Sequence, residues 1–181
     1  VKKQLPYFLL VFAIPVVGVL WWWGMFSSAS VEVAERGPYR YAYLEAEGPY
    51  SKLGKKQQEV LFELEKQGIT PGVQLTLVLS DPRSTPYKEL RAQTGYVLAD
   101  GVEPQAPLQV ASVPVRHVAV ARIKAHPLFA YGKAYSALLD FSGQLQLDLQ
   151  LPTVELSEHS VLTVEMPLPE NASMPPQGGR P

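Results

Sequence analysis

The chain of 181 residues contains no cysteine. Disulfide staples, thiolate catalysis, cysteine-ligated zinc and a lipid anchor on cysteine are therefore excluded. Charge of either sign is also scarce and evenly split, with 16 basic against 17 acidic residues and a formal net charge of −1. The only adjacent basic pairs are Lys2-Lys3 and Lys55-Lys56. Without a basic stripe there is no polyelectrolyte attraction to phosphate backbones, so nucleic acid is not an expected partner. There is no Gly-x-Ser-x-Gly elbow, no phosphate-cradling glycine loop and no His-Glu-x-x-His pair. His117, His126 and His159 stand without ligand spacing, so neither a metal nor another cofactor is expected. What is present is apolar: 46% of the residues are hydrophobic, enough to bury the core of one ordinary domain with an appendage.

The appendage is N-terminal. Residues 5–26 carry no charge and run long enough to cross roughly 30 Å of hydrocarbon as a helix. Pro6 and Pro15 are tolerated in such a helix, and Trp21-Trp22-Trp23 suits an interfacial belt. Lys2 and Lys3 precede the run, whereas Glu32, Glu35 and Arg36 come after it. The positive-inside bias then gives a cytoplasmic segment 1–4, a single transmembrane helix 5–26 in a bacterial inner membrane, and everything later on the extracytoplasmic side. The competing reading is a cleaved signal peptide with Ser27-Ser28-Ala29 at its cleavage site. The long run and its bulky end favour an uncleaved anchor.

After a linker at 27–33 the folded part begins. Tyr39 to Glu47 alternates as a strand, and Gly48-Pro49-Tyr50 ends it. Ser51 is the predicted cap of a helix reaching about Gln67, with Leu53, Val60, Leu61 and Leu64 as its apolar stripe and Gly68 just beyond. Strands come next at 73–79 and 90–98, joined by the turn-rich segment 81–86. The proline-bearing stretch 101–107 reads as a second linker. The same order then recurs: a strand over 115–124, with a bulge suggested by its imperfect alternation, a helix over 131–145 with Tyr135, Leu138 and Leu139 on one face, and strands over 153–157 and 161–166. A shift of about 78 positions, counted directly on the sequence, superposes Pro49 on Pro127, Gly54 on Gly132, Lys55 on Lys133 and Leu61 on Leu139. The fold class is therefore α+β, a duplicated β-α-β-β module, with halves at about 34–100 and 108–169 inside a domain of 34–169. The tail 170–181, rich in proline and glycine, is expected to be disordered.

In the strand at 153–157, Val154 and Leu156 alternate with Thr153, Glu155 and Ser157. If Val154 and Leu156 face a core, Glu155 leaves the opposite sheet face, either into water or into a cleft.

The run Tyr41-Ala42-Tyr43-Leu44-Glu45-Ala46-Glu47-Gly48-Pro49-Tyr50, the helix ending at Gly68-Ile69, Ser80 to Pro86, Glu89-Leu90-Arg91, and the closing 152–155 and 164–168 together resemble the GyrI-like small-molecule-binding domain. That domain also serves as the effector-binding unit of AraC- and MerR-type regulators, and the resemblance covers about 31–169. It implies one antiparallel sheet around a pseudo-twofold axis, with helices on one face and a ligand groove on the other. It puts Glu155 on the glutamate at the base of that groove, where many members meet cationic or polar ligands. Tyr41, Tyr43 and Tyr96 are the candidate walls, and Tyr50 matches the Gly-Pro-Tyr pattern. Members commonly carry a tyrosine two places beyond the glutamate; here Ser157 stands there.

The expected function is thus a membrane-anchored module binding a small amphipathic or cationic molecule, without a DNA-binding unit in these residues. A protein–protein adaptor using the groove or a sheet edge is the first alternative. A hydrolase of strained-ring electrophiles with Glu155 as base is the second, weakened by the missing tyrosine. Asp81 and Arg91 read as a turn residue and a structural pairing partner.

Overall fold

In the computed structural model, residues 5–169 and 172 are described, with side chains from Leu10 onward. The cytoplasmic segment expected at 1–4, and the disordered tail expected from 170 apart from Ala172, lie outside the described residues. Among the described residues, three α-helices and eight strands run in the order α1 (Leu5–Trp22), β1 (Ser30–Arg36), β2 (Tyr39–Glu47), α2 (Leu53–Lys66), β3 (Gln74–Val78), β4 (Arg91–Val97), β5 (Gln109–Val113), β6 (Arg116–Lys124), α3 (Pro127–Gln144), β7 (Thr153–Glu158) and β8 (Val161–Pro167). All eight strands form one antiparallel sheet in the order β1-β6-β8-β7-β3-β4-β2-β5.

The duplication is visible in this order. Reading inward from either end gives an edge strand, a long strand, a last strand and a central strand, and the two centres β3 and β7 pair with Thr76 opposite Glu155. The pseudo-twofold axis passes between those two residues. Strand β1 overlaps the expected linker 27–33, and β5 falls between the expected linker 101–107 and the strand expected from 115; both are short and half-exposed, which leaves little periodicity to read. Their role is to tie the ends of the sheet together. Ser30 to Arg36 faces Arg122 to Arg116, and Tyr39 to Tyr43 faces Val113 to Gln109, in one continuous register. Residues 30–47 and 109–124 are thus one long ribbon, broken only at Gly37-Pro38 and Pro114-Val115. Since β1 runs on into β2 from the opposite end of the strand order, the sheet must curl. Tyr41, Tyr43, Leu75, Val113 and Val154 gather in one buried cluster on the helix-free face, the inside of that curl.

The two helices cover the other face. Val60 and Leu64 of α2 pack on Ala42, Leu98 and Leu108, while Ala130, Ala134, Leu138 and Phe141 of α3 pack on Ala119, Ala121, Ile123, Leu162, Val164 and Met166. Helix α3 begins at Pro127, four residues earlier than its apolar spacing suggests, because the His126 ring caps it by accepting from the Leu128 amide at 3.3 Å. Ser51 does not cap α2; a 3₁₀ turn over Tyr50–Lys52 leads into it instead. Strand β6 pairs residue by residue on both sides, so the expected bulge is absent.

The N-terminal segment differs most from expectation. Helix α1 has 18 residues and stops at Trp22 rather than Phe26, and among the described residues no helix is long and apolar enough to cross a membrane. It stops there because the next residues, from Trp23 to Ser27, are held by the domain. The Trp23 ring stacks on His126 with centroids 4.6 Å apart, the Trp23 carbonyl accepts from the His126 amide at 2.8 Å, and Lys133 Nζ donates to the carbonyls of Met25 and Ser27.

Candidate functional site

A cavity of about 580 Å³, within the usual range for small-molecule sites, lies between α2 and α3 above the two central strands. Its floor is Gln74, Thr76 and Val78 of β3 with Glu155 of β7, and its walls are Leu53, Gly54 and Gln57 of α2 facing Tyr131, Gly132 and Tyr135 of α3. The 78-residue offset maps each of the first three onto the corresponding member of the second three. The groove is therefore built on the pseudo-twofold axis. It opens on the helix-covered face, which corrects the expectation of a groove on the opposite one: two helices standing apart over a curled sheet leave their gap on their own side. A second cavity does open on the helix-free face, but Glu155 is not part of it.

Glu155 projects as the alternation of its strand requires, since Val154 belongs to the cluster inside the curl. It is 8% exposed, and its Oε1 accepts from the Tyr135 hydroxyl at 2.6 Å, a phenol that also lies 3.1 Å from Thr153 Oγ1. Burial pushes the Glu155 carboxyl up to about 7, and the Tyr135 hydrogen bond only partly offsets this. The Tyr135 phenol moves far upward, through burial first and then the neighbouring carboxylate. Tyr50 and Tyr131 are each pushed up to about 12 by burial, with Glu155 adding to the rise. Three phenols thus surround one buried acid, Glu155, while the other acid of the lining, Asp81, is paired with Arg83. Thr76 and Gln57 are among the polar groups of the floor and wall. Thr76 Oγ1 is 3.0 Å from Thr94 Oγ1, and the buried Gln57 Nε2 has no hydrogen-bond partner among the described residues.

Of the residues expected to bind ligand, Glu155 and Tyr50 line the groove. The Tyr50 hydroxyl is held by the Ser80 carbonyl at 2.5 Å. Tyr41 and Tyr43 do not line it. Their strand parity sends them into the curl, where their hydroxyls donate to Gln93 at 2.6 Å and Gln109 at 2.9 Å. Tyr96 does not line it either, being packed under α2 with Ala42, Val60 and Leu64. Asp81 and Arg83 form a 2.7 Å ion pair at the rim, and Arg91 lies 3.9 Å from Glu45 away from the cavity. Tyr131, Tyr135, Gln57 and Thr76 were missed by sequence reasoning. The signal was available: Gly54 and Gly132 align under the repeat, and the residues one turn around them face each other. Among the described residues no group of three or more acidic or histidine side chains could hold a metal ion.

The GyrI-like small molecule binding domain family matches residues 29–156, more than half the chain. No curated protein matches in sequence. Among solved structures, the EcmrR C-terminal domain superposes with a TM-score of 0.62 at 14% identity, over 77% of this chain and 96% of that one. SAV2435 bound to tetraphenylphosphonium superposes with a TM-score of 0.56 at 10% identity, over 78% of this chain and 94% of that one. An integron cassette protein from the mobile metagenome of Vibrio cholerae does so at 0.53 and 6% identity, over 78% and 97%. At these identities the superpositions establish the fold, an α+β unit with one eight-stranded antiparallel sheet. With the family match they agree on one conclusion: the chain belongs to the GyrI-like small-molecule-binding domain family.

Proposed function

We propose that the groove between α2 and α3 holds an amphipathic cation, with the charge against Glu155 and the apolar body between Tyr50, Tyr131 and Tyr135. One observation carries this reading: a carboxyl group buried in a cavity with three tyrosines in its lining, with a phenol as its one hydrogen-bond partner among the described residues. Ionised, that acid has lost most of its water, so a cation gains Coulomb attraction at low effective dielectric as well as attraction to the ring faces. Tetraphenylphosphonium bound to SAV2435 supplies a probe of the right chemistry.

Calorimetric titration of tetraphenylphosphonium into the full chain at pH 8 tests the reading. Glu155→Gln is expected to weaken binding about a hundredfold, the loss of one buried charge interaction. Thr76→Val, at the equivalent position of the other half, should change it less than about threefold. Equal binding by the parent and Glu155→Gln would sink the assignment.

A second reading rests on the same pair. A carboxyl titrating near 7 beside a phenol donor has the properties of a general base, so a hydrolase of strained-ring electrophiles is the alternative. Turnover of an electrophilic probe that disappears in Glu155→Gln would support it. The membrane placement of residues 5–26 rests on the sequence alone. We propose it with its own test, retention of the full chain in membranes after alkaline carbonate washing.

A further inference from the structure

The helix-free face holds a second cavity of about 500 Å³, lined among others by Arg36, Tyr39, Arg122, Leu156, Thr163 and Glu165. Its chemistry is unlike that of the groove. The Glu165 side chain is completely buried; its Oε1 accepts from the Tyr39 hydroxyl at 2.8 Å and lies 3.9 Å from Arg36 Nε. Arg116 and Arg122 are close enough for their charges to act on the same carboxyl. Burial raises its pKa, and the Tyr39 hydrogen bond and the arginines oppose that rise. Arg36 is also engaged by Glu32 at 3.3 Å, and Arg116 Nη1 donates to the Pro152 carbonyl at 2.8 Å. Glu158 and His159 stand at the edge.

Apart from Gln57 Nε2 in the groove, three buried polar atoms lack a hydrogen-bond partner among the described residues: Glu165 Oε2, Arg36 Nε and Arg116 Nη2. Two of them, Glu165 Oε2 and Arg36 Nε, belong to residues that line the cavity, one an acceptor and the other a donor. A buried polar group left unpaired is costly, so this pair calls for a group that donates and accepts through neighbouring atoms. An anion would satisfy the arginine but meet the buried carboxylate. A cation would satisfy Glu165 but meet Arg36 and Arg122. The walls, including Val73, Val97, Leu156 and Val161, are apolar.

We propose that this cavity is a second binding site, distinct from the groove, for an uncharged molecule with an apolar body and a carboxamide or lactam head. Both atoms are covered from solvent, so the head reaches them by a rotation of the half-exposed Arg36 side chain, which lets the amide N–H donate to Glu165 Oε2 and its carbonyl accept from Arg36 Nε. The isosteric set benzamide, benzoate and benzylamine separates the three charge classes. Binding to the full chain is monitored by protein-observed NMR at pH 7, with Gly132→Leu as a groove-blocked control and Glu165→Gln and Thr163→Leu as variants of this cavity. Benzamide is expected to shift resonances of β1, β7 and β8, to bind at least about tenfold tighter than either charged analogue, and to survive Gly132→Leu. Thr163→Leu, which narrows the cavity without touching the buried charges, should abolish the shifts even if Glu165→Gln fails to fold. Loss in Gly132→Leu but not in Thr163→Leu would overturn the proposal by assigning benzamide to the groove. Tighter binding of benzoate or benzylamine would overturn the neutral assignment. No shift with any of the three would overturn the proposal, leaving the buried charges as a structural cluster.

Discussion

The two halves of the domain share one path and fill it differently. At the centre, the pairing that places Thr76 opposite Glu155 gives one half a hydroxyl and the other an acid. Above them Gln57 of α2 answers Tyr135 of α3, so the acid and the phenol that bonds it both come from the second half. On the opposite face the register places Gly95 of β4, paired with Tyr43, where β8 has Glu165, paired with Val120. The first half fills that face with Tyr41 and Tyr43; the second leaves a polar cavity. A symmetric backbone thus makes a groove along its own axis, and asymmetric side chains give the floor of that groove one buried acid. An axis lined by two acids would have set like charges side by side, a costly arrangement at low dielectric.

The largest effect expected from disturbing this comparison is at Gly95. A Cβ built there collides with the Ala42 carbonyl oxygen and crowds the Tyr43 backbone, so neither neighbour is a side chain that could turn away. Gly95→Ala should cost on the order of 3 kcal/mol or more in denaturant unfolding, although the equivalent position of the other half carries a glutamate. An ordinary surface-sized loss would mean that the two strand pairs are less different than their register implies.

Next comes the acid itself. The folded state raises Glu155 from an ordinary 4.5 to about 7, so it holds a proton that the unfolded chain has released. The folded state therefore binds more protons in that window, and stability falls as pH rises from about 4.5 through 7. The loss is on the order of 3 kcal/mol, complete above the folded value, and Glu155→Gln should flatten the profile. Cation binding runs the other way. It requires the ionised acid, so tetraphenylphosphonium affinity should rise about tenfold between pH 6 and pH 8 and then level off. Thr76→Val should leave both profiles unchanged.

How much of this was legible depends on what a residue answers to. Strand β2 reads correctly because its alternation comes from local burial, and Glu155 was placed off the core face by the same rule. The destinations of Tyr41 and Tyr43 were not legible, because parity says that two residues share a face but not which face carries the ligand. That depends on where the helices settle, a long-range outcome. The missed strands β1 and β5 are defined by the ribbon that closes the sheet, with partners some 66 to 92 positions away. The length of α1 was misjudged because apolar content cannot reveal that Trp23 stacks on a histidine a hundred residues later.

The smallest effect concerns the paired glycines of the groove walls. A Cβ on Gly54 or Gly132 meets nothing within 4 Å, so neither glycine is required by packing. Gly132 lies in the interior of α3, where alanine should stabilise by about 0.5–1 kcal/mol. Gly54 lies in the first turn of α2, where the gain should be smaller. The stability that glycine forgoes in α3 has a use only if the space it leaves is occupied in function. Gly132→Ala should therefore raise the melting temperature while weakening tetraphenylphosphonium binding a few-fold, by adding a methyl group between the Tyr131 and Tyr135 rings and the ligand. If the variant were more stable and bound equally well, the open space beside α3 would be no part of the ligand's volume. The cation would then lie toward α2, against Leu53 and Gln57.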